Sequence, residues 1–211
     1  MTAAETIEAL REYGVATVYE ASGRRGVIDA DLIQVVPGTR VAGPARIARC
    51  GQGDNRAVHE VMSVAQPGEI LVLTMPVPMP VALVGELLLT QAKMRGVAGV
   101  LVDASIRDFD ELRELGLPVW TRWVRVTGAT KDLRGSIDVP VTVGAARIRP
   151  GDIVVLDADG GVVVERERAD EVAAASRQRF EKEIVSRGRY EAGELSYDVN
   201  GLRSQDLEAV R

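Results

Sequence analysis

Two short stretches of the chain carry the side chains best suited to chemistry. Twenty residues separate Glu86 of the first, Gly85-Glu86-Leu87-Leu88, from the second, Arg107-Asp108. A guanidinium binds carboxylates through a bidentate fork, and a carboxylate is a ligand of hard metal ions. The free amides at a helix N-terminus also attract anions. Together these groups predict a cleft that holds an anionic substrate on a divalent metal.

A helix and a strand between these stretches are expected to position them. Residues 86–95 have the apolar spacing of a helix, Gly96 would end it, and residues 97–102 are typical of a buried strand. In a strand-helix-strand unit, a helix N-terminus and the end of the next strand open on the same edge of the sheet. We therefore expect Glu86 to approach Arg107 and Asp108.

Each of these groups also has a structural interpretation, and the residues alone leave both open. Asp108 is well placed to cap a helix that follows it, over residues 109–115. Arg107 could form a surface ion pair with a neighbouring aspartate, which contributes little energy. The amides of residues 86–88 are those of any helix start.

A hard ion suits this chain better than zinc. The sequence contains one Cys and one His, whereas zinc sites usually combine several such residues. Asp and Glu together number 31, which favours Mg²⁺ or Mn²⁺ bound with several waters. Asp108 is the best direct ligand, and Glu86 could help directly or through water. We expect His59 to be structural and Lys93 to be exposed.

Composition and charge limit the class of protein. The 211 residues are 46% hydrophobic and 27% charged, as in ordinary globular proteins. A net charge of −5 argues against a nucleic-acid partner. The single Cys50 fits a reducing compartment, and residues 75–84, the longest apolar stretch, are too short to span a membrane. We expect a cytoplasmic protein with no membrane partner and no leader among residues 1–12.

Alternating helices and buried strands predict an α/β fold with a mixed central sheet, in one domain over residues 1–211. A cap at Asp54 or Asn55 would begin a helix, and residues 157–161 would form a hairpin turn. Short strands are expected within residues 125–150. Predicted helices cover residues 3–12, 15–22, 56–65, 86–95, 110–115 and 168–187, the last ending at Gly188, and predicted strands cover residues 33–36, 40–50, 70–73, 97–102, 118–123, 153–156 and 162–165.

Several of these segments resemble one known family. Gly85-Glu86-Leu87-Leu88, Asp103, Arg107-Asp108 and the run from Leu115 to Trp120 are similar to the 4-hydroxy-4-methyl-2-oxoglutarate aldolase family. That family also includes the regulator of ribonuclease activity A (RraA-like) proteins. The resemblance covers most of residues 10–203, and the acidic residue followed after twenty residues by Arg-Asp is its most specific motif. It implies a compact swivelling β/β/α-type fold that assembles as homotrimers or hexamers.

The resemblance also implies an activity. Aldolases of this family use a divalent metal to cleave 4-hydroxy-2-oxo acids to pyruvate and a carbonyl acid, often with oxaloacetate decarboxylase side activity. By this resemblance Asp108 would bind the metal, Arg107 would contact the keto oxygen, and Gly85, Leu87 and Leu88 would cradle the substrate carboxylate. Glu86 would contribute to that cradle and hold a water on the metal.

A glutamate from the C-terminal helices of a neighbouring subunit, within residues 168–211, is also expected near the site. Glu183 and Glu194 are the candidates. The chain departs from the family pattern where Glu86 replaces the usual Asp and Ala104 replaces a common Gly. These departures bear on substrate identity more than on metal binding.

Two other functions are compatible with the resemblance. One is a non-catalytic regulator that binds a ribonuclease or another protein, although the retained Arg107-Asp108 pair favours an enzyme. The other is a methyltransferase, which the chain supports poorly because it has no glycine-rich cofactor loop.

Overall fold

Seven α-helices, eleven strands and a short 3-10 helix (Arg166–Arg168) make up the part of the chain that the computed structural model describes, residues 1–209. The helices are α1 (Ala3–Ala21), α2 (Arg56–Val64), α3 (Glu86–Met94), α4 (Phe109–Leu115), α5 (Ala169–Glu191), α6 (Ser196–Val199) and α7 (Leu202–Ala209). The strands are β1 (Ile33–Gln34), β2 (Val41–Arg49), β3 (Ile70–Thr74), β4 (Ala82–Val84), β5 (Gly99–Ile106), β6 (Val119–Val124), β7 (Ser136–Ile137), β8 (Val141–Val143), β9 (Ala146–Ile148), β10 (Ile153–Asp157) and β11 (Gly160–Val164).

One mixed sheet organises the fold. Its strands run in the order β1-β6-β5-β3-β2-β10-β11, while β4 pairs with β5 and β7 pairs with β2. The central strands β2, β3, β5 and β6 are parallel, and β1, β7, β10 and β11 add to them antiparallel. Strands β8 and β9 form a separate hairpin. The predicted α/β class with a mixed sheet is confirmed.

Strands β3 and β5 form the centre of the core, because every one of their residues is buried. Strands buried on both faces need both faces covered. One face packs against helices, while Ile70 and Leu101 on the other share a cluster with the β8–β9 hairpin. Helices α2 and α3 contribute Val58, Met62 and Leu89 to one apolar cluster. Helices α1 and α5 contribute Leu10 and Val172 to another cluster, against β10 and β11.

Helix α1 consists of two helical segments on either side of Gly14, whose φ of +76° and ψ of 175° are not helical. The prediction of two N-terminal helices is therefore confirmed, while α5 differs from its prediction. The prediction that Gly188 ends the long helix is wrong, since α5 continues through it to Glu191. Gly188 has no positive φ, and a glycine in helical conformation weakens a helix without ending it.

Strand β5 also differs from its prediction, in a way that matters for the site. It begins at Gly99 rather than Val97, because the amide of Val97 still bonds the carbonyl of Ala92 as the chain leaves α3. It then continues to Ile106. Strand β5 therefore ends immediately before Arg107 and Asp108.

Among the described helices, none is long and apolar enough to cross a membrane.

Candidate active site

The two predicted segments meet where α3 begins and β5 ends. Gly85 is the N-cap of α3, and the amide of Arg107 donates to the carbonyl of Val84 at 3.1 Å. The side chain of Asp108 completes the link, because its Oδ2 accepts the amide hydrogen of Glu86 at 3.0 Å. The structure thus brings the segments together, as the strand-helix-strand arrangement predicts.

Asp108 occupies the N-cap position of α4 without capping it. Its backbone is left-handed, with φ 59° and ψ 49°, and its side chain makes no cap hydrogen bond to α4. A non-glycine residue in this conformation costs about 1–3 kcal/mol. Instead, the carboxylate bonds the first amide of α3. The interpretation of Asp108 as a cap for its own helix is therefore wrong.

The contact between Asp108 and α3 depends on the glycine at position 85. A Cβ placed there would lie 2.3 Å from Oδ2 of Asp108 and 3.0 Å from Cγ of Arg107. The backbone itself is extended, with φ −144°, so any residue could adopt it. Gly85 is required because a side chain would occupy the space that the Asp108 carboxylate fills.

Arg107 and Glu86 are placed differently. Nε of Arg107 lies 3.6 Å from Oδ2 of Asp108, and their side chains are 51% and 40% exposed. Such an exposed pair contributes little to stability, and the guanidinium stays accessible to an anion. The carboxylate of Glu86 turns along α3 and accepts the hydroxyl of Thr90 at 2.9 Å.

A cavity of about 420 Å³ opens beside these residues. Five of the six predicted site residues line it, namely Gly85, Leu87, Leu88, Arg107 and Asp108. Glu86 is not among the lining residues, so its role in holding the metal or a water stays a prediction from the sequence. The rest of the lining is formed by Asn55, His59, Ala82, Leu83, Val84, Gln91, Ala129 and Lys131.

Four polar residues of this lining have no functional role in the sequence analysis: Asn55, His59, Gln91 and Lys131. The sequence predicts a structural role for His59, but the residue is exposed and lines the cavity. The apolar pattern of α2 contains a usable signal, because its buried face is Ala57, Val58, Val61 and Met62, which leaves His59 outside. No comparable signal marks Lys131, which lies far along the chain.

Asn55 has an unpartnered acceptor. The residue is 7% exposed, and its Nδ2 donates to the carbonyl of Leu83 at 2.9 Å. That bond fixes the amide orientation, and Oδ1 is left without a partner among the described residues. Such a buried group costs about 1–3 kcal/mol.

Asp54 holds the segment that carries Lys131. Its Oδ2 accepts the hydroxyl of Thr130 at 2.7 Å and the amides of Asp132 and Leu133 at 2.6 and 3.1 Å. Its Oδ1 accepts the amide of Arg56 at 2.8 Å. Burial raises the pKa of Asp54, but these four hydrogen bonds outweigh it and lower the pKa to about 2. The ionised carboxylate thus ties the loop to the start of α2.

The donor set fits a hard ion. Within residues 1–209, no group of three or more His, Cys, Asp and Glu side chains could hold a metal. Asp108 offers one carboxylate, whose contacts with Glu86 and Arg107 use Oδ2 only. Mg²⁺ commonly uses one or two carboxylates and keeps waters that substrate oxygens can replace. A structural zinc site would need more protein ligands.

The two candidate glutamates of the C-terminal region are paired within their own chain. Oε1 of Glu183 lies 2.9 Å from Nε of Arg179, and Oε2 of Glu194 lies 2.6 Å from Nη2 of Arg189. Neither lines the cavity of its own chain. The approach of either to a neighbouring subunit stays a prediction. Lys93 is exposed as expected, and its Nζ donates to the carbonyl of Leu115.

Comparison with known proteins identifies the family. Residues 15–164 match the RraA-like family, described as Aldolase/RraA. A protein of Halalkalibacterium halodurans, whose name gives 4-hydroxy-4-methyl-2-oxoglutarate aldolase as its provisional activity, is 35% identical over 140 residues. The aligned region covers 66% of this chain and 67% of that protein.

Two solved structures share the fold. Streptomyces coelicolor RraAS2, described as an unusual member of the RNase ES inhibitor RraA family, has a TM-score of 0.76 at 30% identity, covering 87% of this chain and 96% of its own. An S-adenosylmethionine:2-dimethylmenaquinone methyltransferase from Geobacillus kaustophilus has a TM-score of 0.63 at 26% identity, covering 79% and 96%. The family match includes all of the segment from Gly85 to Asp108, and the chain belongs to the RraA-like family.

Proposed function

We propose that this protein is a divalent-metal-dependent aldolase that cleaves a 4-hydroxy-2-oxo acid, such as 4-hydroxy-4-methyl-2-oxoglutarate, to pyruvate and a carbonyl acid. One observation carries the proposal: a carboxylate, a guanidinium and a helix N-terminus meet in one cavity at Asp108, Arg107 and Gly85. The similarity to a protein named for this aldolase activity supports it.

The start of α3 suits the carboxylate of the substrate. The amide of Glu86 already donates to the carboxylate of Asp108, and the amide of Leu89 donates to the carbonyl of Gly85. The amides of Leu87 and Leu88 lie between these two, at the helix N-terminus where no intrahelical partner exists. Both residues line the cavity, and the helix dipole favours an anion there.

Arg107 suits the charge that develops during bond cleavage. Breaking the C3–C4 bond leaves negative charge on the 2-oxo oxygen, and a guanidinium placed beside that oxygen stabilises it. One preorganised donor of this kind is worth about 3–4 kcal/mol. A divalent ion on Asp108 would add Lewis-acid polarisation of the same oxygen. Loss of CO₂ from oxaloacetate creates the same charge, so we propose decarboxylation as a side activity.

Other lining residues suit the fragment that leaves. The ammonium of Lys131 attracts a second carboxylate. Cleavage also needs a base for the proton of the C4 hydroxyl. His59 is a candidate within the cavity lining, beside the neighbouring glutamate and the Glu86-held water that the family resemblance implies.

The test measures pyruvate release with lactate dehydrogenase over a panel of 4-hydroxy-2-oxo acids. Wild type with Mg²⁺ or Mn²⁺ should produce pyruvate, and a chelator should stop it. Arg107→Ala should lower kcat by roughly 10²–10³-fold. Arg113→Ala, which removes an exposed arginine of α4 outside the cavity, should have no effect. Absence of turnover on every acid at high enzyme and metal would overturn the proposal.

A non-catalytic regulator is the second candidate, and the similarity to RraAS2 favours it. Such a protein would bind a ribonuclease or another protein through its surface. Capture of that partner would survive Asp108→Ala, and no 2-oxo acid would be turned over. Measuring capture and turnover on both wild type and Asp108→Ala separates the candidates.

A further inference from the structure

A second cavity, of about 360 Å³, lies at the ends of β2 and β3. It shares no lining residue with the first cavity. Polar and apolar side chains both contribute to its wall, which is lined by Arg49, Thr74, Met75, Pro76, Pro140, Val141, Thr142 and Arg147.

Two cross-strand pairs build the polar part of this wall. Arg49 is the register partner of Thr74 in the parallel pair of β2 and β3. Arg147 is the register partner of Thr142 in the β8–β9 hairpin. Each strand pair therefore sets a guanidinium beside a hydroxyl, and the two pairs line one cavity. The sheet and the hairpin thus fix where both arginines leave the backbone.

The positive charge in this cavity is uncompensated. No acidic residue lines it, and neither Arg49 nor Arg147 is among the ion pairs of the described residues. Two arginines close to them in sequence differ in this respect. Arg46 pairs with Glu69 and Asp138, and Arg149 pairs with Asp152 and Glu167. In a chain with a net charge of −5, this pattern leaves two cations available at one place.

Thr74 provides an independent observation. It is only 2% exposed, and its hydroxyl makes no side-chain hydrogen bond with any of the described residues. The hydroxyl is not among the fully buried unpartnered atoms of the described residues, so it keeps surface in the cavity that Thr74 lines. An acceptor oxygen of a bound molecule can reach it there.

We propose that this cavity binds the phosphate group of a small phosphate monoester. Guanidinium forks bind phosphate oxygens bidentately, and two forks with one hydroxyl match a tetrahedral dianion better than a planar carboxylate with two oxygens. The volume exceeds that of phosphate alone, and the organic part of the ester would pack on Pro76 and Val141. The site is separate from the Arg107 and Asp108 cavity.

The experiment is calorimetric titration with inorganic phosphate, glycerol 3-phosphate, phenyl phosphate and acetate. It uses the full chain carrying Arg107→Ala and Lys131→Ala, with chelator present, which removes the two cationic side chains of the first cavity and any bound metal. The esters should bind more tightly than free phosphate, and acetate should not bind. Arg49→Ala and Arg147→Ala should each weaken ester binding about tenfold or more. Affinity should also fall with added salt.

Controls keep the test independent of folding and of the aldolase activity. Arg113→Ala removes an exposed arginine elsewhere and should leave ester binding unchanged, while circular dichroism checks that each variant is folded. Arg49→Lys keeps the charge without the fork and should bind the esters with intermediate affinity.

Tighter binding of free phosphate than of either ester would overturn the monoester assignment. Equal affinity for acetate, or affinity unchanged in the Arg49→Ala/Arg147→Ala double variant, would overturn the site itself. A change in oligomeric mass on arginine removal, without ester binding, would also overturn it.

Discussion

At the residue scale, the site depends on the relation between Asp108 and Gly85. Asp108 has a left-handed backbone that directs its carboxylate away from the helix it precedes. The same carboxylate fills the space that a side chain at position 85 would need. The sequence predicts that these residues meet, because a strand-helix-strand unit has one open edge. It cannot predict the left-handed turn, which depends on the hydrogen bond to Glu86.

The substitution Gly85→Ala tests this relation. The added methyl group would lie 2.3 Å from Oδ2 of Asp108, so the carboxylate must move. A misplacement of about 1 Å costs roughly a hundredfold in rate, and we expect that loss in kcat/KM for pyruvate release. Overpacking should also lower the free energy of unfolding by about 1–3 kcal/mol.

A double-mutant cycle supplies the control for Gly85→Ala. Urea denaturation should show a smaller cost when the methyl group is added to Asp108→Ala than when it is added to wild type, because the clashing carboxylate is gone. Equal costs in both backgrounds would show that Asp108 does not occupy the space beside Gly85.

At the element scale, the loop over residues 130–133 is tied to α2 by Asp54. The sequence correctly indicates a polar residue at the start of α2, since Asp54 accepts the amide of Arg56. Its other oxygen binds three donors of the distant loop. Those partners are more than 70 residues away along the chain, so local pattern could not reveal them. These hydrogen bonds hold the loop that carries Lys131, which lines the cavity.

The pH dependence of stability should report the hydrogen bonds that the Asp54 carboxylate accepts. Its pKa is lowered from 3.8 to about 2 in the folded protein, so the stabilisation is complete above the unfolded value and is lost as pH falls from about 4 to 2. A shift of this size corresponds to roughly 2 kcal/mol for a buried group. We expect the difference in unfolding free energy between wild type and Asp54→Asn to shrink by that amount over this range.

Urea titrations of both proteins between pH 7 and pH 2 measure this difference. Taking the difference removes the effect of other carboxylates, which titrate in both proteins. If the difference in unfolding free energy stays constant with pH, the pKa of Asp54 is not lowered in the folded protein, which contradicts the prediction.

At the scale of the whole molecule, the central sheet is what the sequence predicts best. The buried apolar runs of β3 and β5 indicate an α/β fold, and the structure confirms it. The strand order is harder to predict from the sequence, because β10 pairs antiparallel with β2, which lies more than 100 residues earlier in the chain. No local pattern selects one long-range pairing over another.

The C-terminal region exposes apolar side chains that suggest an interface. Ile184 is 52% exposed, Val185 is 65% exposed and Leu195 is 58% exposed. Exposed apolar groups that cluster mark protein contacts more often than isolated ones do. We therefore expect this region to contact a neighbouring copy, in the homotrimer or hexamer that the family resemblance implies.

Light scattering tests the assembly directly. Wild type should have a mass of three or six times 22.7 kDa, and Ile184→Glu/Val185→Glu should reduce it. Met94→Glu, at an 81% exposed apolar position of α3, is the matched control and should keep the wild-type mass. A wild-type protein with the mass of a single copy would contradict the prediction.

The central claim is that two distant segments close around one hard ion at Asp108. Electron paramagnetic resonance can count bound Mn²⁺ during a titration in the presence of oxalate, a mimic of the charged product of C–C cleavage. We predict one Mn²⁺ per chain in wild type, with oxalate tightening its binding, and loss of that ion in Asp108→Ala. Equal Mn²⁺ binding by wild type and Asp108→Ala would contradict the account.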